Sequence, residues 1–232
     1  VERSAAESHQ PDSEEDALPK SGPEAEERVV RVVSQALHRR RLRPGDRLVE
    51  RELSEAAGAS RLAVRNALLR LAQAGLVDLH RNKGASVIEC SPDLAHQIMT
   101  ARIVNERAAL TSLAGRLDDA GRSRLETILR AESAAYDDGR REEASHRARE
   151  FHIAFTELAG NAMIARFVRE LIDCQPLLAG RSAHVPVLSG VPAHTKTLAA
   201  LLRGDGEAAA EINTALLTEI EKTLTSAGGP QD

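Results

Sequence analysis

Residues 50–68 read Glu50-Arg51-Glu52-Leu53-Ser54-Glu55-Ala56-Ala57-Gly58-Ala59-Ser60-Arg61-Leu62-Ala63-Val64-Arg65-Asn66-Ala67-Leu68. Leu53, Ala56 and Ala57 share one helical face, and Gly58 suits a left-handed cap behind them. Ser60 is a good N-cap for a second helix over 61–74, in which Val64, Ala67, Leu68 and Leu71 recur at helical spacing. Upstream, Val29, Val32, Val33, Ala36 and Leu37 predict a helix over about 24–41, followed by the turn signal Arg43-Pro44-Gly45-Asp46. Downstream, Gly75 closes the second helix. Residues 76–80 and 85–89 then flank Arg81-Asn82-Lys83-Gly84 and read as a small hairpin. Helix, short helix, turn, helix and hairpin is the order of a winged helix-turn-helix, in which the helix after the turn lays its N-terminal end in the major groove.

Charge follows the same division. Residues 28–83 carry a balance of +8, between −7 over residues 1–27 and −5 over the remainder, within a net charge of −4. A basic module between acidic neighbours is what phosphate attraction asks for. Arg61 and Arg65 lie one turn apart at the start of the second helix and share a face, and Arg51 opens the short bracing helix. Arg81 and Lys83 sit in the hairpin turn, where Gly84 lets backbone approach a groove. Backbone amides capped by Ser60 can hold a phosphate. Each arginine alone could equally be an ordinary surface charge; their convergence on one module favours DNA.

The run from Leu42 to Glu55, with Leu42-Arg43-Pro44-Gly45 and Glu50-Arg51-Glu52-Leu53, followed by Ser60-Arg61-Leu62-Ala63-Val64-Arg65-Asn66-Ala67-Leu68, resembles the GntR family of bacterial regulators over about residues 26–90. The resemblance implies that Arg51, Arg61 and Arg65 contact operator DNA, with the Gly84 wing tip in the minor groove. Leu62-Ala63 replaces the family's usual Thr-Pro, and Asn66 replaces its usual Glu. A hydroxyl that could bind phosphate is therefore missing, and Asn66 becomes a candidate reader of adenine.

Behind this module the chain reads as all-helical, with helices near 93–117, 121–137, 141–159, 161–174, 191–203 and 206–226, and a loop or broken helix over 176–192. Arg102-x-x-x-Glu106, Phe151-His152 before Gly160-Asn161, and His194 before Gly204-Asp205 resemble the FCD effector domain of the FadR-like branch, in its six-helix, VanR-like version. That resemblance implies a metal held by one Asp and three His. Here Ala148 stands at the Asp position and Leu216 at the last His position, so the expectation is no metal and no cofactor. His146 lies off the helical face of His152, and Asn213 is a weak substitute. His152 and His194 are then either partly buried structural histidines or effector ligands. Arg102 either clamps a carboxylate or pairs with Glu106 one turn away.

The expected architecture is mostly α. Residues 1–23 form a disordered acidic tail, 24–90 a winged helix-turn-helix, and 91–228 an all-helical ligand-binding and dimerisation domain. The expected function is a homodimeric repressor that binds double-stranded operator DNA under control of a small molecule, typically an organic acid. Tyr136, Phe151, Phe155 and Phe167 are the only aromatic residues, and all follow the midpoint, which disfavours single-strand binding by base stacking. Enzyme chemistry finds little support, with no His-Glu-x-x-His run, phosphate loop or nucleophile elbow. A helical module binding another protein is a third reading. Cys90 and Cys174 give no disulfide framework and fit a reducing cytoplasm, and neither a signal peptide nor a membrane span is expected.

Overall fold

The structure is a computed structural model that describes residues 19–81, 84–179 and 189–227. The expected acidic tail falls largely on residues 1–18, outside the described residues. Residues 19–22 are held against the first domain: Arg28 Nη2 donates to the Pro19 carbonyl at 2.6 Å, and the Ser60 amide donates to the Lys20 carbonyl at 2.6 Å.

The first helix, α1, spans Pro23–His38, with proline in its first turn, Glu24 and Glu26 complementing its dipole, and Val29, Val33 and Leu37 fully buried. It ends about three residues before the expected point. Arg40 takes a left-handed φ of 57°, and the amides of Arg41 and Leu42 both return to the Ala36 carbonyl, at 2.8 and 3.1 Å. A two-residue strand β1 (Arg47–Leu48) follows, then α2 (Glu50–Ala57), ended by Gly58 at φ 56° and ψ 40° as its sequence suggested. Ser60 caps α3 (Arg61–Gln73), its hydroxyl accepting from the Ala63 amide at 3.3 Å. Strands β2 (Val77–His80) and β3 (Gly84–Val87) form the expected hairpin. The sequence reading missed β1, which pairs antiparallel with β3 and makes a three-stranded sheet in the order β1-β3-β2. Two residues are too few to show alternation.

The second part is a bundle of α4 (Pro92–Leu113), α5 (Asp119–Asp137), α6 (Arg141–Leu158), α7 (Ala162–Cys174), α8 (Val191–Leu202) and α9 (Gly206–Ala227). Ser91, Asp118 and Asn161 cap α4, α5 and α7 through their side-chain oxygens. The loop or broken helix expected over 176–192 begins in a 3-10 turn over Gln175–Ala179, and residues 180–188 of it lie outside the described residues. One apolar core lies inside the bundle, around Leu110, Leu125, Phe151, Phe155 and Leu201. A second joins both domains: Val33, Leu37, Leu68 and Leu71 pack in one cluster with Met99, Cys174, Leu177 and Leu217. Arg40 Nη1 also donates to the Pro176 carbonyl at 3.1 Å across this junction. Cys90 and Cys174 are free thiols, and no described helix is long and apolar enough to cross a membrane.

Candidate functional site

The recognition surface is built from the start of α3. Arg61 is exposed, as are Arg51 and Arg65. Arg51 pairs with Glu55 at 2.9 Å on its own helix, and Arg65 Nε reaches Glu50 at 3.1 Å. Exposed ion pairs of this kind contribute at most about 1 kcal/mol, so phosphate can displace them. Asn66 turns back toward α1, where its amide donates to Glu26 Oε1 at 2.8 Å. The outward place in that turn belongs to Leu62, which is 66% exposed. Arg81 is exposed at the end of β2, and Gly84 opens β3 at φ 87° with open space where a Cβ would sit. Backbone conformation alone therefore favours glycine there. Lys83 lies outside the described residues.

The second cluster lies where α4, α5, α6, α8 and α9 converge. Arg102, Glu106, Glu132, His152, His194 and Asn213 are each at most 2% exposed. Arg102 Nε donates to Glu106 Oε1 at 2.6 Å, and its Nη1 reaches Gln175 Oε1 at 2.5 Å. Its guanidinium is thus spent on the ion pair that the sequence allowed as one of two roles. Glu106 Oε2 receives Asn213 Nδ2 at 2.9 Å and lies 2.7 Å from His152 Nδ1. On the far side, Glu132 Oε2 lies 2.7 Å from His194 Nδ1, and the two imidazoles meet through their Nε2 atoms at 3.2 Å. The Phe151 ring stacks on His194 at 4.6 Å between centroids.

Electrostatics fix the proton at the Glu106 end of this chain. Burial pushes the Glu106 carboxyl up, but Arg102, then His152 and Asn213, outweigh it and hold it at about 2. Burial lowers His152 to about 4 against the attraction of Glu106. His152 is therefore neutral near pH 7, with Nδ1–H facing an ionised carboxylate and a lone pair on Nε2. His194 Nε2 is then the donor in the 3.2 Å contact, and His194 Nδ1 faces Glu132 Oε2 at 2.7 Å.

This chemistry does not fit a four-ligand metal centre. Ala148 and Leu216 line the same cleft as the histidines and offer no donor. The two Nε2 atoms face each other at 3.2 Å, Asn213 is turned to Glu106, and no group of three His, Cys, Asp or Glu side chains able to hold a metal occurs among the described residues. Glu132 and Gln175, both hydrogen-bonded in the cluster, escaped the sequence reading, as did Arg149 on the cleft wall. Glu132 is 62 residues from its partner His194 and has no local signal. Arg149, which also lines the cleft, stands three residues before His152, a spacing that puts both on one helical face.

A winged helix-turn-helix packed on a helical bundle is the architecture of a DNA-binding regulator with a second, all-helical domain. The family model for bacterial regulatory proteins of the gntR family matches residues 25–87, and that for the FCD domain matches residues 97–219, more than half of the chain. The chain belongs to the GntR family and carries an FCD domain; it is a DNA-binding transcriptional regulator and not an enzyme. Among solved structures it is similar to E. coli McbR/YncC, with 20% identity over 90% of this chain and 100% of that one and a TM-score of 0.78. It is also similar to a GntR transcriptional regulator from Rhodococcus sp. RHA1, with 23% identity, coverage of 87% and 98%, and a TM-score of 0.73. At these identities the likeness shows the fold.

Proposed function

We propose that the chain is an effector-responsive repressor that binds a pseudo-palindromic operator as a homodimer. Arg51, Arg61, Arg65, Arg81 and the Gly84 wing contact DNA, and the Ser60 cap orients the first turn of α3 against a phosphate. Lys83, by its place in the hairpin sequence, adds a further phosphate contact. Asn66 would have to release Glu26 to read an adenine, so its part is to brace α3 against α1. The observation that carries this reading is the exposed Arg61 at the capped start of α3, flanked by Arg51 and Arg65 in weak surface pairs only.

The effector reading rests on the cleft that His152 and His194 line. A small organic acid that contacts them breaks the Nε2–Nε2 contact between the two rings, while Arg102 acts from behind through Glu106. An effector that alters operator affinity is, reciprocally, bound with altered affinity when DNA is present.

Fluorescence anisotropy with the chain's own upstream region, titrated against salt, tests the DNA-binding half. Arg61→Ala and Arg65→Ala should each weaken specific binding by about 1–3 kcal/mol, and binding should fall steeply as salt rises. Unchanged specific affinity in both variants rejects this placement of the recognition helix. A footprint covering two half-sites tests the dimer, and a promoter–reporter assay distinguishes repression from activation.

A further inference from the structure

The solvent face of α3 is mixed in chemistry. Ala63, Val64, Ala67, Leu68 and Leu71 are buried against the rest of the domain. Arg61, Leu62, Arg65 and Leu69 are exposed, and Leu62 is the most exposed large apolar side chain among the described residues. It is the second residue of the helix. Arg61 precedes it, and Arg65 stands three residues on, a spacing that makes neighbours on a helix surface. Asn66, the one amide of that turn, is held by Glu26 at 2.8 Å. The start of α3 therefore presents two guanidiniums with a branched alkyl group between them.

A single exposed leucine is ordinary on a protein surface; its position is what sets Leu62 apart. A leucine adds nothing to phosphate affinity, and left in water its apolar surface is a cost. It fits a base edge, because thymine displays an apolar C5-methyl group in the major groove. The N-terminal residues of a recognition helix are the ones that reach base edges. A rise of about 1.5 Å per residue puts Arg61 and Arg65 about 6 Å apart along the axis, less than two base-pair steps of about 3.4 Å. A base read by Leu62 thus belongs to the same half-site as those within reach of the two arginines.

We propose that Leu62 determines specificity by packing on the C5-methyl of a thymine in each operator half-site, between the contacts of Arg61 and Arg65. The proposal rests on the recognition-helix reading above and deepens it by naming a base.

The test uses the full chain and a duplex that it selects from random-sequence DNA, with the half-sites located by footprinting. Each thymine of a half-site is replaced in turn by deoxyuridine, which pairs as thymine does and lacks only the methyl group. At one position or more the replacement should weaken binding about three- to fivefold, the effect of one buried methyl. Leu62→Ala should weaken binding to the unmodified duplex at least as much, and should be indifferent to deoxyuridine at that position. The contact carries no charge, so Leu62→Ala should leave the salt dependence of binding unchanged. Leu69→Ala, two turns further along the same face, is the comparison and should keep the full response to deoxyuridine. Leu62 is exposed and alanine is the best helix former, so the variant retains the fold, and the deoxyuridine series needs no variant at all. A selected half-site without an A·T pair, no response to deoxyuridine at any thymine, or an undiminished response in Leu62→Ala overturns the proposal. If Arg61→Ala still loses the selected duplex in that case, the recognition-helix reading stands without it. If Arg61→Ala binds as tightly as the unaltered chain, that reading falls and takes the proposal with it.

Discussion

Gly190 shows how a residue with ordinary backbone geometry can still be confined to glycine. Its φ of −75° and ψ of −19° suit any amino acid, but a Cβ there would lie 2.4 Å from His194 Cε1 and 3.0 Å from Glu132 Oε1. Gly190→Ala should therefore push the imidazole off Glu132, lowering stability by about 1–3 kcal/mol and shifting the His194 ring resonances in NMR. Unchanged resonances and unchanged stability would mean that the proton chain is not held by this contact. At this scale the sequence was informative about identity and weak about pairing. Arg102, Glu106, His152 and His194 could be singled out through the resemblance to the FCD domain. What closes the cluster is Glu132 against His194 and Asn213 against Glu106, contacts between helices far apart in the chain, which no local pattern encodes.

Among the elements, α3 joins local sequence to function most directly. Its first turn is held by one side-chain cap from Ser60, whose hydroxyl also accepts from Ser21 Oγ at 2.8 Å. Arg61 is the first residue of that turn. Ser60→Ala should cost about 1 kcal/mol of stability and, by loosening the turn that carries Arg61, should reduce specific operator affinity while leaving non-specific binding nearly unchanged. Denaturant titration and anisotropy on specific and scrambled duplexes measure the two effects separately; equal losses on both duplexes would make Ser60 a plain phosphate contact. The helices of both domains were legible from apolar periodicity, glycine and proline punctuation and the Ser60 cap; Ser91, Asp118 and Asn161 cap helices as well, without having been read as caps. The exceptions have physical causes. The strand β1 exists through its pairing with β3, and the end of α1 is set at Arg40 by a left-handed turn on a residue type that gives no warning of it.

For the whole molecule, the decisive feature is the apolar cluster that both domains share. Leu37 and Leu71 on one side and Met99, Leu177 and Leu217 on the other exclude water together. The two domains should accordingly unfold in one transition, with coincident denaturation curves from far-ultraviolet circular dichroism and from a fluorescent label placed on either domain. Two separated transitions would show that the cluster contributes little. The sequence reading set a boundary at about residue 90 and treated the domains as consecutive units. It could not show that Cys174, Leu177 and Leu178, well inside the second domain, complete the core of the first.

That shared core sets the terms on which this regulator can be rebuilt. A chimera that cuts at the Cys90–Ser91 junction and joins the DNA reader to a foreign sensor would leave Val33, Leu37 and Leu71 facing whatever surface the new partner brings. The transplantable unit is discontinuous: the reader, the start of α4 and the segment from Cys174 to Leu178 travel together, with Leu217 as the matching position on the last helix.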